Sequence, residues 1–388
     1  MIRLRTPAAV LLATAFAVLP ATITPAYADT IRARQWGLQA LHTEEAWRTT
    51  RGEGITVAVL DTGVDAEHPD LAGSVLTGRD LIGFGASRGD RAWARHGTAM
   101  AGIIAGHGHG PDGGDGVLGI APDARILPVR VILESTDKAR DKARKARGTA
   151  LADGIRWAAD HGADVINMSL GDDSRSAHPD AGEDAAVQYA LAKGVSVVAS
   201  AGNGGEKGDH ISYPAAYPGV IAVTAVDRYG THASFSTRRW YATVSAPGVD
   251  IAIADPDQRY YEGWGTSAAA AFASGAVALV RSAHPDLTPA QVKRLLIDTA
   301  RNRPEGGRSD AKGYGTVDPA AAIEAGVKIE GGDPKTVATG YRGRHFGPGP
   351  LPATEESRPV GLLAPAAGGL GVLLLLTAVI LRRVHRTD

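Results

Sequence analysis

The chain of 388 residues contains no cysteine, which excludes a disulfide framework. For the same reason, thiols cannot indicate the redox state of its compartment. The formal net charge is only -1 at pH 7, which argues against nucleic acid as a partner. No internal repeat is apparent. Hydrophobic residues make up 44% of the chain, which is enough to bury one large core.

The first residues have the layout of a cleaved secretory signal peptide. Arg3 and Arg5 form a short basic start, residues 8–19 are apolar, and small residues precede a cleavage site after Ala28. The alternative is a buried core helix, which the terminal position and the flanks argue against. We therefore expect residues 1–28 to be a signal peptide.

The other end of the chain carries a long apolar segment. Residues 361–381 are uncharged and are followed by a basic tail, residues 382–388. About 20 apolar residues suffice for a helix to span a bilayer, and a basic tail is expected on the cytoplasmic side. Residues 330–360 are rich in Gly and Pro and are predicted to be a juxtamembrane linker. The sequence thus predicts a single-pass protein of the cell membrane, with residues 29–329 outside the cytoplasm.

Ser267 lies in the most informative motif, a glycine-flanked turn that leads directly into an apolar, alanine-rich stretch. A serine at the start of a helix exposes its hydroxyl, and its backbone N–H is one of the unpaired donors of the helix N-terminus. Such a position suits a nucleophile and the stabilisation of an oxyanion. Taken alone, however, Gly-Thr-Ser before a helix is more often an N-cap.

Two upstream motifs favour catalysis. Asp61 ends an apolar run, residues 55–60, that has the composition of a buried parallel strand. His96 stands at the entrance of a small-residue segment, residues 96–106, predicted to be helical. Separately, the aspartate could be a turn former and the histidine a helix cap. Because open α/β sheets gather their chemistry at the carboxyl ends of the strands, the two side chains are expected to converge with Ser267.

These motifs make the chain resemble the subtilisin family of serine proteases. The order Asp61, His96, Ser267 is the order that this family uses. Further resembling blocks lie between residues 35 and 327, namely 119–131, 164–171, 197–203 and 212–223.

The resemblance implies a role for each site residue. His96 is expected to accept the proton of Ser267 through a hydrogen bond, and Asp61 to orient the imidazole. Asn203 is implied to donate its side-chain amide to an oxyanion hole, although a turn residue is the alternative. An extended peptide is expected along the edge formed by Ser169, Leu170 and Gly171, with Ser212 near the floor of the primary specificity pocket. No metal and no cofactor is implied.

The predicted fold is α/β, a three-layer subtilisin-like arrangement with a mostly parallel sheet covered by helices on both faces. Predicted strands alternate with predicted helices along residues 29–329, the expected peptidase domain. The strands are expected at residues 55–60, 125–132, 164–168, 195–200 and 220–226, and the helices at 96–106, 149–161, 183–193, 266–284 and 289–299.

The extension at residues 29–54 is too short for a folded pro-domain, and it resembles that of the mycosins. Mycosins are membrane-anchored subtilisin-like proteases associated with type VII secretion. The resemblance implies a serine endopeptidase acting on proteins or peptides outside the cytoplasm, in association with such a secretion complex. The alternative is a structural subunit that stabilises the complex, with reduced or dispensable catalysis.

Two further segments leave alternatives open. Residues 137–147 are strongly basic and are predicted to be a solvated helix or loop; a partner-facing or processing loop is the alternative. Residues 106–116 are predicted to be a mobile glycine-rich surface loop. A metal site there is the weaker alternative, with His107, His109, Asp112 and Asp115 as candidate ligands. Asp112, Asp115 and Asp172 form no recognisable calcium pattern.

Overall fold

The computed structural model describes residues 31–332. Its strands are β1 (Thr56–Asp61), β2 (Arg79–Asp80), β3 (His107–His109), β4 (Asp115–Leu118), β5 (Arg125–Arg130), β6 (Val165–Met168), β7 (Ser196–Ser200), β8 (Ile221–Val226), β9 (Ala242–Pro247), β10 (Ile251–Ala254) and β11 (Tyr260–Gly263). Its α-helices are α1 (Trp36–Ala40), α2 (Thr43–Ala46), α3 (Arg95–Ala105), α4 (Arg140–Ala146), α5 (Ala150–Asp160), α6 (Ala181–Ala192), α7 (Thr266–Ala283), α8 (Pro289–Thr299) and α9 (Pro319–Gly326).

Seven parallel strands form the central sheet, in the order β2-β5-β1-β6-β7-β8-β9. Strands β6 to β9 are buried along their whole length, which explains why they are short apolar runs without alternation. In the register of the sheet, Asp61 at the end of β1 lies opposite Arg130 at the end of β5. The chain segments that follow these two strands therefore leave the sheet at the same edge.

Helices cover both faces of the sheet, as predicted. On one face α3, α7, α8 and α9 build the larger core, and α4, α5 and α6 build the core of the other face. Small residues let α7 approach closely: a Cβ on Gly275 would lie 1.6 Å from Ile120 Cγ2. The buried alanine run of α7 packs against β6, β7, β8 and β9. This packing fixes the position of the N-terminus of α7.

The segment before β1 is tied to the rest of the domain by side chains. Gln35 Nε2 donates to Leu118 O at 2.8 Å, and Leu118 N donates to Gln35 Oε1 at 2.9 Å, as in a strand pair. Trp47 Nε1 donates to Ile120 O at 2.8 Å. The part of the extension that follows residue 30 thus belongs to the folded domain.

The predicted elements are present, with bounds that differ by two residues or fewer at each end. The exception is residues 106–116, predicted to be a loop: they contain β3 and the start of β4, which form a small antiparallel sheet. Two strands of the central sheet, β2 and β9, were not predicted. The basic segment contains α4. Within residues 31–332, no helix combines the length and the apolar character needed to cross a membrane. The predicted signal peptide, the membrane helix, the tail and nearly all of the linker lie outside the described residues.

Candidate active site

Three elements bring the predicted catalytic side chains to one edge of the sheet. Asp61 is the last residue of β1 and is fully buried. His96 is the second residue of α3, and Ser267 is the second residue of α7. His96 and Ser267 line the same cleft of about 1140 Å³.

Asp61 holds the imidazole of His96. Both carboxylate oxygens lie 2.9 Å from His96 Nδ1. An ionised carboxylate can only accept, so Nδ1 carries a proton, and in the neutral imidazole Nε2 is the nitrogen with a free lone pair. Thr62 N donates to Asp61 Oδ1 at 2.7 Å and orients the carboxylate.

Gly97 allows this close approach. A Cβ on Gly97 would lie 2.0 Å from Gly63 O and 3.2 Å from Asp61 Cβ. The first turn of α3 therefore packs against the loop that follows β1 with no room for a methyl group. The Asp61–His96 contact depends on that missing side chain.

Glu134 is a site residue that the sequence analysis missed. Its Oε1 accepts from His96 N at 2.7 Å and from Thr62 Oγ1 at 2.7 Å. Thr62 Oγ1 in turn accepts from Gly97 N at 3.2 Å. Glu134 thus connects the loop after β1 to the start of α3 from a third segment, the one that follows β5. A lone glutamate after a strand carries no sequence signal for such a contact.

The charges around His96 favour its protonated form. Burial lowers its pKa, but the Asp61 charge and hydrogen bond, together with the Glu134 charge, outweigh burial. Arg140 acts in the opposite direction. The result raises the pKa of His96 from its ordinary value of 6.5 to about 8.

Ser267 occupies the predicted place at a helix start, but its hydroxyl has a different partner from the one expected. Gly265, the residue before α7, has φ 144°, a conformation that favours glycine. Ser267 Oγ donates to Ser169 O at 3.0 Å. Among the hydrogen bonds of residues 31–332 there is none between Ser267 and His96. The prediction of a direct hydrogen bond between these two side chains is therefore wrong for the substrate-free structure. Catalytic hydrogen bonds are often long in substrate-free sites and tighten when substrate binds.

Asn203 lies beside the turn before Ser267. Its Oδ1 accepts from Thr266 N at 2.9 Å and from Thr266 Oγ1 at 3.0 Å. Because a backbone N–H can only donate, these bonds identify which side-chain atom is the oxygen. The Nδ2 donor is therefore not used in the bonds to Thr266. A Cβ built on Gly265 would lie 3.7 Å from Nδ2. The same Cβ would lie 3.7 Å from Ser267 N, which is in the first turn of α7, so both donors lie beside Gly265.

The four predicted substrate-binding residues, Ser169, Leu170, Gly171 and Ser212, all line the cleft. The first three directly follow β6. Ser212 is 1% exposed, and its Oγ has no hydrogen-bond partner within residues 31–332. A Cβ on Gly171 would lie 2.7 Å from that oxygen, so glycine leaves the space above the hydroxyl open. Their role in substrate binding stays a prediction.

Both histidines among the candidate metal ligands, and Asp172, are engaged in other contacts. His109 Nδ1 lies 2.6 Å from Asp70 Oδ1, and His107 Nε2 lies 3.1 Å from Ala72 O. Asp172 Oδ1 accepts from Ser174 N at 3.0 Å in a turn. In the part of the chain from 31 to 332, no three His or acidic side chains converge on a point that could hold a metal ion.

A parallel sheet that brings an aspartate, a histidine and a serine together in this chain order defines the class of subtilisin-like peptidases. In agreement, residues 52–315 match the model of the Subtilase family, Peptidase S8. The chain belongs to this family.

Similar proteins include characterised peptidases. The chain is 42% identical over 249 residues to the thermophilic serine proteinase of Bacillus sp. (strain AK1), covering 64% of this chain and 57% of that protein. It is 37% identical over 336 residues to fervidolysin of Fervidobacterium pennivorans, covering 79% of this chain but 46% of that protein. The chain thus spans about half the length of these two relatives.

Solved structures of mycosins are similar as well. The MycP3 protease from the type VII (ESX-3) secretion system has a TM-score of 0.62 and 34% identity, covering 74% of this chain and 88% of that chain. MycP1 from Mycobacterium smegmatis has a TM-score of 0.65 and 30% identity, covering 80% of this chain and 88% of that chain. The predicted resemblance to both the family and its mycosin members is confirmed.

Proposed function

We propose that the protein is a membrane-anchored serine endopeptidase that hydrolyses proteins outside the cytoplasm in association with a type VII secretion complex. The observation that carries the catalytic part is the contact of both Asp61 oxygens with His96 Nδ1, in the cleft that also contains Ser267. That contact leaves Nε2 of the imidazole as the base.

In this proposal, catalysis follows from the site geometry. Ser267 Oγ leaves its hydrogen bond with Ser169 O and attacks the peptide carbonyl carbon, while its proton passes to His96 Nε2. The imidazolium that forms is stabilised by Asp61. The carbonyl oxygen, now an oxyanion, accepts from Asn203 Nδ2 and from Ser267 N.

Collapse of this intermediate breaks the C–N bond, and His96 gives its proton to the leaving amine. A water molecule then repeats the sequence on the acyl ester: it loses a proton to His96 and attacks the same carbon, and Ser267 Oγ leaves and is reprotonated. The enzyme returns to its starting state with no metal or cofactor in any step.

The location rests on two kinds of support. The apolar segments at residues 1–28 and 361–381 have the composition of a signal peptide and a membrane helix. The MycP3 and MycP1 structures come from proteins of type VII secretion systems.

Because the chain has no cysteine, one introduced cysteine can report the topology. We expect a membrane-impermeant maleimide to label Tyr229→Cys in intact cells, since Tyr229 is 86% exposed, and to label Asp388→Cys only after permeabilisation.

A fluorophosphonate probe tests the nucleophile without knowledge of the substrate. We expect the full-length chain in detergent to be labelled, and the Ser267→Ala and His96→Ala variants to remain unlabelled. A folded wild-type chain that is not labelled would contradict the proposal.

That outcome would favour the second candidate, a structural subunit of a secretion complex. The Ser267–Ser169 hydrogen bond is the observation on that side, because it leaves the serine without its base in the free protein.

A further inference from the structure

One rim of the cleft is formed by a strongly basic helix. Residues 137–147 contain six Lys and Arg and two Asp residues, and α4 lies within them. Arg140, Arg144 and Arg147 line the cleft together with His96 and Ser267. Arg140 and Arg144 are four residues apart, which places them on one face of α4, and Arg147 directly follows the helix. Ala143, between them in sequence, is buried in the core.

The topology explains why this helix reaches the active site. The chain leaves β5 at Arg130, next to the end of β1 that carries Asp61. It then passes Glu134, which contacts His96 N, before α4 begins. The charge of Arg140 lowers the pKa of His96, which places the basic rim within electrostatic reach of the triad.

The cations of this rim are not neutralised within the described chain. None of the six basic residues of 137–147 forms an ion pair within residues 31–332. Arg147 Nε donates to Ile82 O at 3.2 Å, Arg140 donates to Leu133 O, and Lys142 lies over the Phe84 ring. By contrast, Arg294 of α8 pairs with Asp298 at 2.7 Å.

The opposite wall of the cleft shows no such bias. It carries four acidic residues, Asp172, Asp173, Asp180 and Glu183, together with Arg175 and Lys207. The charged side chains that residues 137–147 contribute to the cleft lining are all cations, namely Arg140, Arg144 and Arg147. A surface of one sign beside a cleft concentrates ligands of the opposite sign and selects among partners.

We propose that α4 is a docking surface for an acidic segment of the substrate protein, adjacent in the chain to the bond that is cleaved. This inference rests on the proposed function, and it adds the substrate class. Aspartate and glutamate side chains of that segment pair with Arg144 and Arg147, while the scissile bond lies at Ser267. Most of the discrimination is expected in KM, because these contacts are remote from the reacting atoms.

Binding to an inactive enzyme tests the surface directly. The probe is a set of three fluorescent peptides of equal length, which differ only in a flanking block of Glu, Ser or Lys residues. Their affinities are measured by anisotropy on the full-length Ser267→Ala chain in uncharged detergent. We expect the Glu peptide to bind about tenfold more tightly than the Ser peptide at low ionic strength, with the difference lost in about 0.5 M salt.

Variants of Arg144 locate the effect, because this side chain makes no hydrogen bond or ion pair within residues 31–332. Arg144→Glu is expected to weaken binding of the Glu peptide about fivefold and to leave the Ser peptide unchanged. Arg144→Lys keeps the charge and should behave as the parent. Arg125→Glu is the matched control, since Arg125 is exposed at the start of β5, the opposite edge of the sheet.

Each outcome decides the inference. It is overturned if the Glu peptide binds no more tightly than the Ser peptide, or if Arg125→Glu weakens it as much as Arg144→Glu. It is also overturned if phosphatidylserine vesicles bind with Arg144 dependence while the peptides do not, since the surface would then contact a membrane. Fluorophosphonate labelling of the wild-type chain reports the proposed function separately, because peptide binding to the Ser267→Ala chain requires no catalysis.

Discussion

Glu134 Oε1 accepts the backbone N–H of His96 at 2.7 Å, which places a second carboxylate next to the residue that Asp61 holds. The same oxygen accepts from Thr62, the neighbour of Asp61, at 2.7 Å. Glu134 is therefore a positioning residue: it joins the two loops that hold Asp61 and His96, and its charge favours the imidazolium.

Replacing Glu134 by Gln removes the charge and keeps an oxygen that can accept both hydrogen bonds. We expect the pKa of His96 to fall, because a nearby negative charge no longer stabilises the protonated ring. The acid limb of the pH profile of kcat/KM should move to lower pH by the same amount, with the plateau within about threefold of wild type.

The matched control for this substitution is Asp137→Asn. Asp137 lies in the same connection, and it accepts from Ala86 N and Ala139 N at 2.7 Å rather than from the site. Asp137→Asn should leave the acid limb of the kcat/KM profile at the same pH. If Glu134→Gln leaves the limb unmoved, the Glu134 charge does not act on His96.

The activity of the wild-type protein should rise with pH up to about 8. Only neutral His96 can accept the Ser267 proton, and the pKa of His96 is raised to about 8. Below that value kcat/KM should fall about tenfold per pH unit, and above it should level off. The measurement is hydrolysis of a peptide ester or a neutral peptide from about pH 5 to about pH 10, an interval that brackets the pKa of about 8. An acid limb centred near 6.5 would mean that the carboxylates do not shift this group.

The same pKa shift also contributes to folding stability. This contribution falls as the pH rises, whereas the activity increases. Because the folded-state pKa of His96 lies above its ordinary value of 6.5, protonation stabilises the folded state. This contribution is fully present below 6.5 and is lost as the pH rises through about 8. Urea unfolding of Ser267→Ala with and without Asp61→Asn should show a stability difference that shrinks over this interval.

Asn203→Asp separates two proposed functions of this side chain: accepting the hydrogen bonds of Thr266 and donating to the oxyanion. The substituted residue keeps oxygens that accept from Thr266 N, so folding should be preserved, but it loses the Nδ2 donor. We expect kcat to fall by about 10²–10³ with little change in KM, the loss known for such an asparagine in a subtilisin. Asn203→Ala should lower kcat similarly and also lower the thermal midpoint. Equal kcat values for Asn203→Asp and wild type would exclude Asn203 from the oxyanion hole.

Gly97→Ala should damage the site without touching a catalytic group. The added methyl would meet Gly63 O at 2.0 Å, so α3 must move away from the loop after β1. We expect kcat/KM to fall by about 10²-fold and the free energy of unfolding by about 1–3 kcal/mol.

Gly102→Ala in the same helix is the control for Gly97. Its methyl would meet Ala254 Cβ at 3.3 Å and Val117 Cγ2 at 3.4 Å, two side chains away from the triad. It should keep wild-type kcat/KM. Activity that falls equally in both variants would indicate a general effect on α3 rather than the loss of the Asp61–His96 contact.

The elements that the sequence predicted share a strong local signal. Residues 221–226 and 196–200 are short runs of Val, Ile, Ala, Ser and Thr, and α8 begins with a capping box in which Thr288 and Gln291 bond each other's backbone. Strand β9 lacks such a signal, because Ala, Ser and Pro make up four of its six residues. It becomes a strand because it pairs in parallel with β8, and this pairing depends on residues outside β9 itself.

The sequence by itself determined the family, the parallel sheet, and the order of Asp61, His96 and Ser267, because burial patterns and glycine-flanked turns are local properties of the chain. It also identified the basic segment at 137–147, but not that Arg140, Arg144 and Arg147 line the cleft. The tertiary structure decided that, as it decided the Glu134–His96 bond and the pairing of Ser267 with Ser169. Each of these contacts joins segments that are brought together only when the sheet assembles, so its distances depend on packing that no local pattern encodes.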